Sequence, residues 1–227
     1  MRKIVFILFF SLISIAAIGQ NLTYDTIQYA KEYYKKRIAI FNSEPVIKGK
    51  IILLGNSITQ FGDWKKLLND SSVINRGIAG DNTHGVLVRL NDVIIRQPAK
   101  LFIEIGINDV AQNIPLQIVV KNILLIIERV HAQSPGTKIY VASILPTNDN
   151  AKNDYPDSFN KNHLINALDN QLKQNAKGNS YTYIDLKNEL KDKNGKLDTK
   201  YADPDGLHLN KRGYNVWIKF LKTNKYL

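Results

Sequence analysis

The sequence contains no cysteine, and histidine is scarce, with four residues in 227. Without cysteine the chain can form no disulfide bond and cannot be anchored by a lipid at a cysteine. The four histidines lack the spacing of metal ligands, so we expect neither a metal nor a cofactor. At 227 residues the chain is long enough for one sizeable domain. Because 44% of its residues are hydrophobic, that domain can be stabilised by its core alone.

A basic stripe interleaved with aromatic residues is also missing, although the formal net charge is +11. The lysines are scattered along the chain, which is typical of solvated helix faces. We therefore expect no nucleic-acid partner. The sequence also shows no internal repeat, no low-complexity tract and no interdomain linker, which agrees with a single main domain.

One long apolar run is present, at the N-terminus. Arg2 and Lys3 precede an apolar stretch that reaches Ile18 and ends among small residues at Gly19. This layout is typical of a secretory signal peptide, and the stretch is short for a membrane span of about 20 residues. We expect residues 1–19 to be removed and the protein to be exported, periplasmic or secreted, from a bacterium, with no stable membrane anchor afterwards. An uncleaved anchor is the alternative.

Strand-like and helix-like segments alternate after an N-terminal helical lead, residues 20–48, with a helix predicted over 26–41. The predicted strands are Ile51–Leu54, Ser72–Asn75, Leu101–Ile105, Ile139–Ser143 and Tyr181–Asp185. Helical patterns lie between them, near Asp63–Leu68, Thr83–Arg96, Leu116–Ala132 and Asn160–Ala176, and a last helix follows Asn210. Such alternation predicts βαβ units and a parallel sheet covered on both sides. Right-handed crossovers then make residues 49–227 a three-layer α/β/α sandwich.

Ser57 follows the first predicted strand, within Gly55-Asn56-Ser57. It could simply cap the next helix. It could instead be a nucleophile at the carboxyl end of the strand, where open α/β sheets bind their ligands. A nucleophilic serine needs a base, a group that orients the base, and donors for an oxyanion.

Two later strand ends offer oxyanion donors. The segment 75-NRGIAGDN-82 follows the second strand, and its glycines, Gly77 and Gly80, would let backbone N–H groups approach a ligand. An ordinary turn, with Asp81 or Asn82 capping the next helix, is the alternative. Asn108, in 106-GINDV-110, has an amide that could donate to developing negative charge, or it could be a turn residue.

A carboxylate and an imidazole lie three residues apart near the C-terminus, at Asp205 and His208 in 203-DPDGLHLN-210. At this spacing the carboxylate can set the tautomer of the histidine and leave the other ring nitrogen free as a base. An Asp-Gly turn with an incidental histidine is the alternative. His131 falls late in a predicted helix, where a surface role is the simpler interpretation.

These four segments, in this order, resemble the motif blocks of the SGNH hydrolases, also called GDSL-type esterases. The resemblance covers about residues 50–225, and 83-THGVLVRL-90 looks most like the platelet-activating-factor acetylhydrolase branch. It implies a flavodoxin-like fold with a five-stranded parallel sheet and a catalytic Ser57, Asp205 and His208. It also implies an oxyanion hole made by the N–H groups of Ser57 and Gly80 and the side chain of Asn108. One departure is Asn56 in place of the usual Asp; an amide can make the same bonds, so we expect little loss.

The implied activity is ester hydrolysis through an acyl-enzyme, with a small-molecule or glycan ester as substrate. Because the chain has no long apolar lid, we expect a short acyl group, acetyl above all, and carbohydrate as its carrier. A lysophospholipase or short-chain lipid esterase, an acyltransferase, and a glycan-binding domain on the same fold are the alternatives. Arg76, Asp81 and Asn82 flank the expected hole and are either substrate contacts or structural residues.

Overall fold

The structure is a computed structural model that describes residues 31–227. The predicted signal peptide and the beginning of the predicted lead lie outside the described residues.

Strands and helices alternate along the described chain. The strands are β1 (Ile51–Gly55), β2 (Ile74–Gly77), β3 (Lys100–Glu104), β4 (Lys138–Ala142) and β5 (Thr182–Ile184). The helices before β4 are α1 (Lys31–Ser43), α2 (Ser57–Phe61), α3 (Trp64–Leu68), α4 (Thr83–Ile94), α5 (Ile107–Ala111) and α6 (Leu116–Gln133). After β4 come α7 (Ala151–Asp154), α8 (Asn162–Asn175), α9 (Lys187–Leu190) and α10 (Lys211–Thr223).

The five strands form one parallel sheet in the order β2-β1-β3-β4-β5, which confirms the predicted sheet. Two groups of helices cover the sheet: α6 packs against α4 and α8, and α10 packs against α3 and α9. The strands between these helices are nearly inaccessible to solvent, as in Ile52, Leu54, Leu101 and Ile103. Burial from both sides explains why the strand sequences are continuously apolar rather than alternating.

The register places the carboxyl ends of three strands side by side. Gly55 at the end of β1 pairs with Gly77 of β2 on one side and with Glu104 of β3 on the other. The residues that follow these three strands therefore meet at one edge of the sheet. This edge carries Ser57, Gly80 and the segment around Asn108.

The second strand begins two residues later than predicted. The Asp70 carboxylate accepts hydrogen bonds from the backbone N–H of Ser72 at 2.8 Å and from its hydroxyl at 2.7 Å, so Ser72 is held in a turn. The strand instead continues through Arg76 and Gly77. The helices α2 and α5 were not predicted because five residues are too few to show a helical period.

None of the helices over residues 31–227 is long and apolar enough to cross a membrane.

Glu104 is the most unusual residue of the core. Its side chain is 1% exposed, and neither carboxylate oxygen has a hydrogen-bond partner among the described residues. Burial, together with the nearby charge of Asp169, raises the pKa of Glu104 from 4.5 to about 8. Near neutral pH this carboxyl group therefore holds its proton in the folded protein and loses it in the unfolded chain.

We predict that Glu104 makes folding stability fall between pH 5 and pH 8. Its contribution is fully present below its ordinary pKa of 4.5 and is lost as the pH rises to about 8, since the folded state binds the proton more tightly. Glu104→Gln should reduce this loss by roughly 2–4 kcal/mol in urea unfolding measured from pH 5 to pH 8. The exposed Glu189→Gln is the matched control. Parallel stability curves for wild type and Glu104→Gln would contradict the prediction.

Candidate active site

Ser57 is the first residue of α2, directly after β1. The cap of this helix is Asn56, whose side-chain oxygen accepts a hydrogen bond from the Ile58 N–H at 2.9 Å. The Ser57 hydroxyl is therefore not needed for capping and points elsewhere. The side chain of Asn56 is fully buried and makes the capping bond without a charge.

The Ser57 hydroxyl meets the imidazole of His208. Their Oγ and Nε2 atoms are 2.8 Å apart, although 151 residues separate them in the chain. The other ring nitrogen, Nδ1, lies 2.6 Å from Oδ2 of Asp205. An ionised carboxylate can only accept, so Nδ1 carries the proton and Nε2 accepts the hydrogen bond from Ser57. The arrangement is a serine–histidine–aspartate chain of hydrogen bonds.

Asp205 is kept ionised by its own loop. Burial raises the pKa of its carboxyl group, but hydrogen bonds from His208 and from the Leu207 N–H outweigh this effect and leave the pKa below its ordinary value. Oδ1 accepts from the backbone N–H groups of Leu207 at 2.9 Å and His208 at 3.0 Å. Both carboxylate oxygens are thus engaged, which fixes the orientation of the carboxylate toward the imidazole.

Two contacts hold this C-terminal loop against the rest of the site. The N–H of Asn148, after β4, donates to the carbonyl of Gly206 at 3.0 Å. The Tyr214 hydroxyl of α10 donates to the Ile58 carbonyl of α2 at 2.7 Å. Asn148 and Tyr214 were not singled out from the sequence, because neither belongs to a recognisable motif.

A cavity of about 800 Å³ opens above Ser57 and His208. His208 is only 5% exposed and contacts two aromatic rings. The centroid of the Phe61 ring is 5.1 Å from that of the imidazole, and the centroid of the Tyr155 ring is 5.4 Å away. Gly80 and Asn108 line the same cavity, so the structure brings together all five residues that the sequence predicts for the triad and the oxyanion hole.

Asn108 is fixed to the loop that contains Gly80. Its side-chain N–H donates to the Asp81 carbonyl at 2.7 Å. An amide nitrogen carries two hydrogens, so this bond leaves a second donor for a ligand. Gly80 has a φ of +77°, a conformation in which a side chain would be strained.

Arg76 does not reach the cavity, which corrects its prediction as a substrate contact. It is 1% exposed, and its guanidinium forms ion pairs with Glu44 and Asp92, both at 2.6 Å. The guanidinium also lies 4.3 Å above the centre of the Phe41 ring of α1. Arg76 belongs to β2, where side chains point to the faces of the sheet rather than to its edge, and it joins α1 to α4.

Asp81 and Asn82 are also structural. Asp81 is fully buried and pairs with Arg89 at 2.8 Å; burial raises its pKa to about 6, although Arg89 opposes the rise. Asn82 caps α4 by accepting from the Gly85 N–H at 2.9 Å. Neither side chain lines the cavity, so Asp81 and Asn82 are structural residues rather than substrate contacts, whereas Gly80 of the same segment does line it.

Asp109 is a further residue of the site, and no role was predicted for it from the sequence. It is fully buried and accepts hydrogen bonds from the N–H of Thr83 at 3.1 Å and from its hydroxyl at 2.5 Å. Burial raises its pKa to about 7, against the effect of the bonds from Thr83. It ties α5, which carries Asn108, to the beginning of α4.

The described residues include no group of three or more histidine, aspartate or glutamate side chains that could hold a metal ion.

The fold and this geometry define the class: a three-layer α/β/α protein with a serine–histidine–aspartate site at the carboxyl edge of a parallel sheet. The model of the GDSL-like Lipase/Acylhydrolase family matches residues 53–216. The chain belongs to this family and is an SGNH-type esterase, which confirms the predicted family and ester hydrolysis.

Solved structures of similar proteins have the same fold. A protein from Streptococcus pneumonia, described as a candidate platelet activating factor, is 26% identical, with a TM-score of 0.76 over 86% of this chain and 94% of its own. A candidate acylhydrolase from Bacteroides fragilis is 25% identical, with a TM-score of 0.70 over 88% and 95%. A GDSL-like lipase from Bacteroides thetaiotaomicron, 24% identical with a TM-score of 0.69 over 86% and 98%, shares the fold. The search of curated proteins gave no match.

The Arg89–Asp81 ion pair can be tested by mutation, because removing Arg89 leaves the Asp81 carboxylate buried without its partner. We expect Arg89→Met to lower the free energy of unfolding by about 3–5 kcal/mol. The exposed Lys200–Asp198 pair is the control, since Lys200→Met should leave the free energy of unfolding nearly unchanged. Urea unfolding at pH 7 measures both. A loss at Arg89 no larger than that at Lys200 would contradict the prediction.

Proposed function

We propose that this esterase removes short acyl groups, acetyl above all, from carbohydrate, with Ser57 as nucleophile, His208 as general base and acid, and Asp205 as the group that orients His208. The observation that carries the catalytic roles is the chain of hydrogen bonds from Ser57 through His208 to Asp205, at 2.8 and 2.6 Å. This geometry lets each group act with little rearrangement.

In the proposed mechanism, Nε2 of His208 takes the proton of Ser57 as its oxygen attacks the ester carbonyl. The imidazolium that forms is stabilised by the ionised Asp205. His208 then gives the proton to the oxygen of the leaving alcohol, and the acyl group stays on Ser57. A water molecule, deprotonated by the same nitrogen, attacks this ester and releases the acid.

The negative oxygen of each tetrahedral intermediate would be bound by the N–H groups of Ser57 and Gly80 and by the Asn108 amide. All three residues line the cavity. Removal of one such donor typically costs a hundred- to thousandfold in turnover.

The walls of the cavity support a carbohydrate as the substrate. Phe61 is 53% exposed at the cavity, and Tyr155 lines the same cavity and also packs against His208. Aromatic rings beside polar groups suit the apolar face of a sugar ring, whose hydroxyls can bond the polar walls. The residues predicted to precede the mature protein, 1–19, would take it to the compartment where O-acetylated glycans occur.

The charge of the cavity weighs against the lysophospholipid alternative. The lining residues over 31–227 include two aspartates, Asp154 and Asp157, and no lysine or arginine. A phosphate group near the ester would therefore meet two like charges without a cation to bind it. A neutral acetylated sugar meets no such repulsion.

The first experiment compares residues 20–227 with the Ser57→Ala variant on p-nitrophenyl acetate, butyrate and octanoate. We expect fast hydrolysis of the acetate, a steep fall in kcat/KM with chain length, and loss of at least a thousandfold in the variant. Ser43→Ala, an exposed serine of α1, is the matched control. Retained activity in Ser57→Ala would reject the serine mechanism, and a preference for octanoate would favour a lipid substrate.

The sugar-binding role of Phe61 predicts a change in selectivity. Phe61→Ala should lower kcat/KM for 6-O-acetylglucose relative to ethyl acetate about tenfold, which corresponds to about 1.4 kcal/mol. Phe61→Tyr should restore the ratio because it keeps the ring. Val88→Ala, an exposed residue away from the cavity, controls for surface truncation. An unchanged ratio in Phe61→Ala would exclude a sugar platform at this ring.

A further inference from the structure

One glutamine side chain connects the helix of the nucleophile to the loop that contains Gly80. Gln60 lies on α2, three residues after Ser57, and its side-chain oxygen accepts a hydrogen bond from the Ala79 N–H at 2.7 Å. Its amide nitrogen donates to the hydroxyl of Tyr33 on α1. Ala79 directly precedes Gly80 and, like Tyr33, lines the cavity.

The backbones of these two segments are also packed closely. A Cβ atom on Gly77 would lie 2.2 Å from the backbone nitrogen of Gln60, so α2 rests directly on the end of β2. The Gln60 nitrogen itself donates to the Asn56 carbonyl at 2.9 Å, within the first turn of α2. The position of the Gln60 side chain is therefore set by the same helical turn that positions Ser57.

The helix α1 is also bonded to the two elements that border this loop, α4 and β2, by two further hydrogen bonds. The Tyr34 hydroxyl donates to the Gly85 carbonyl at 2.8 Å, and Arg37 donates to the Gly77 carbonyl at 3.4 Å. These contacts lie on both sides of Ala79 and Gly80 along the chain. The Tyr33 hydroxyl is thus held beside Gln60 by a helix that is hydrogen-bonded to the elements before and after the loop.

We propose that Gln60 is a positioning residue for the oxyanion hole, and that Tyr33 acts through it, so that α1 is part of the active site. The bond from Ala79 to Gln60 orients the peptide before Gly80 and sets its distance from Ser57. The bond to Tyr33 holds the Gln60 amide in the one orientation that offers its oxygen to Ala79. This inference rests on the proposed oxyanion role of Gly80.

A positioning role differs from a structural role in the kinetic constant that changes. Misplacement of an oxyanion donor weakens binding of the transition state more than binding of the neutral ester, so kcat falls while KM changes little. A loop that is merely loosened would lower stability and raise KM together.

The test uses Gln60→Met, which keeps the length of the side chain and removes both hydrogen bonds. On p-nitrophenyl acetate we expect kcat to fall about 10- to 100-fold, with KM within about twofold of wild type. Gln133→Met, an exposed glutamine at the end of α6, is the matched control and should leave both constants unchanged. Circular dichroism and Tm report whether each variant is folded.

Tyr33→Phe completes a double-mutant cycle and also provides the test if Gln60→Met does not fold. Alone, Tyr33→Phe should lower kcat about two- to fivefold, because Gln60 keeps its bond to Ala79 but loses its orientation. In the Gln60→Met background the same change should have no further effect, since Tyr33 then has no residue to act through.

Two results would overturn the inference: an unchanged kcat in folded Gln60→Met, so that any loss of kcat/KM comes from KM alone, or equal effects of Tyr33→Phe in both backgrounds. An unchanged kcat in Tyr33→Phe would do so if Gln60→Met is unfolded. Ser57→Ala, measured in parallel, separates these results from failure of the proposed function. If Ser57→Ala is inactive and Gln60→Met is fully active, only the role of Gln60 is rejected.

Discussion

The site depends on the interactions of one buried group, the guanidinium of Arg89. It pairs with Asp81 at 2.8 Å and donates to two backbone carbonyls, those of Arg76 at 2.9 Å and Gly55 at 3.0 Å. Arginine does not lose its charge in proteins, so this cation must keep partners inside the core. Its partners are the ends of β1 and β2 and the loop after β2. The Arg89 guanidinium therefore holds the segments that carry Ser57 and Gly80 next to each other.

A second layer of contacts builds on this frame. Asn108 is bonded to the Asp81 carbonyl, and its neighbour Asp109 holds the beginning of α4 through Thr83. The third strand is thereby connected to the same loop. Such a site can keep its donors in place before a substrate arrives, which is the condition for efficient stabilisation of an oxyanion. Two of the supporting carboxyl groups, on Asp81 and Asp109, are buried at a cost that their partners only partly offset.

The parts of the site that were predictable from sequence follow a local rule. Ser57, Asn108 and His208 each lie in a short segment with a recognisable order of residue types, and each segment follows a strand or a turn. The carboxyl ends of parallel strands meet at one edge, so such segments converge once the strand order is known. Other residues support the site through contacts between segments that are distant in sequence, and they follow no comparable pattern in the chain. Examples are Arg89, Asn148 and Gln60.

The points that the sequence left open or misplaced have a related origin. Arg76 and Asp81 are predicted to be either substrate contacts or structural residues because they flank Gly80 in the sequence, and proximity along the chain does not give the direction of a side chain. In the folded protein Arg76 points to α1 and α4, and Asp81 points into the core. The start of β2 was misplaced for a related reason, since a hydrogen-bonded turn at Ser72 overrides its place in an apolar run.

By itself the sequence determined the α/β layering, the parallel sheet, the family, and the residues of the hydrogen-bonded triad, because hydrophobic period and short motifs are local properties of the chain. Only the tertiary structure decided which polar residues face the cavity and which support it from behind. It also decided that α1 lies against the loop beside Gly80. These outcomes depend on side chains that are distant in sequence and meet only when the sheet, its helices and the buried charge of Arg89 are in place.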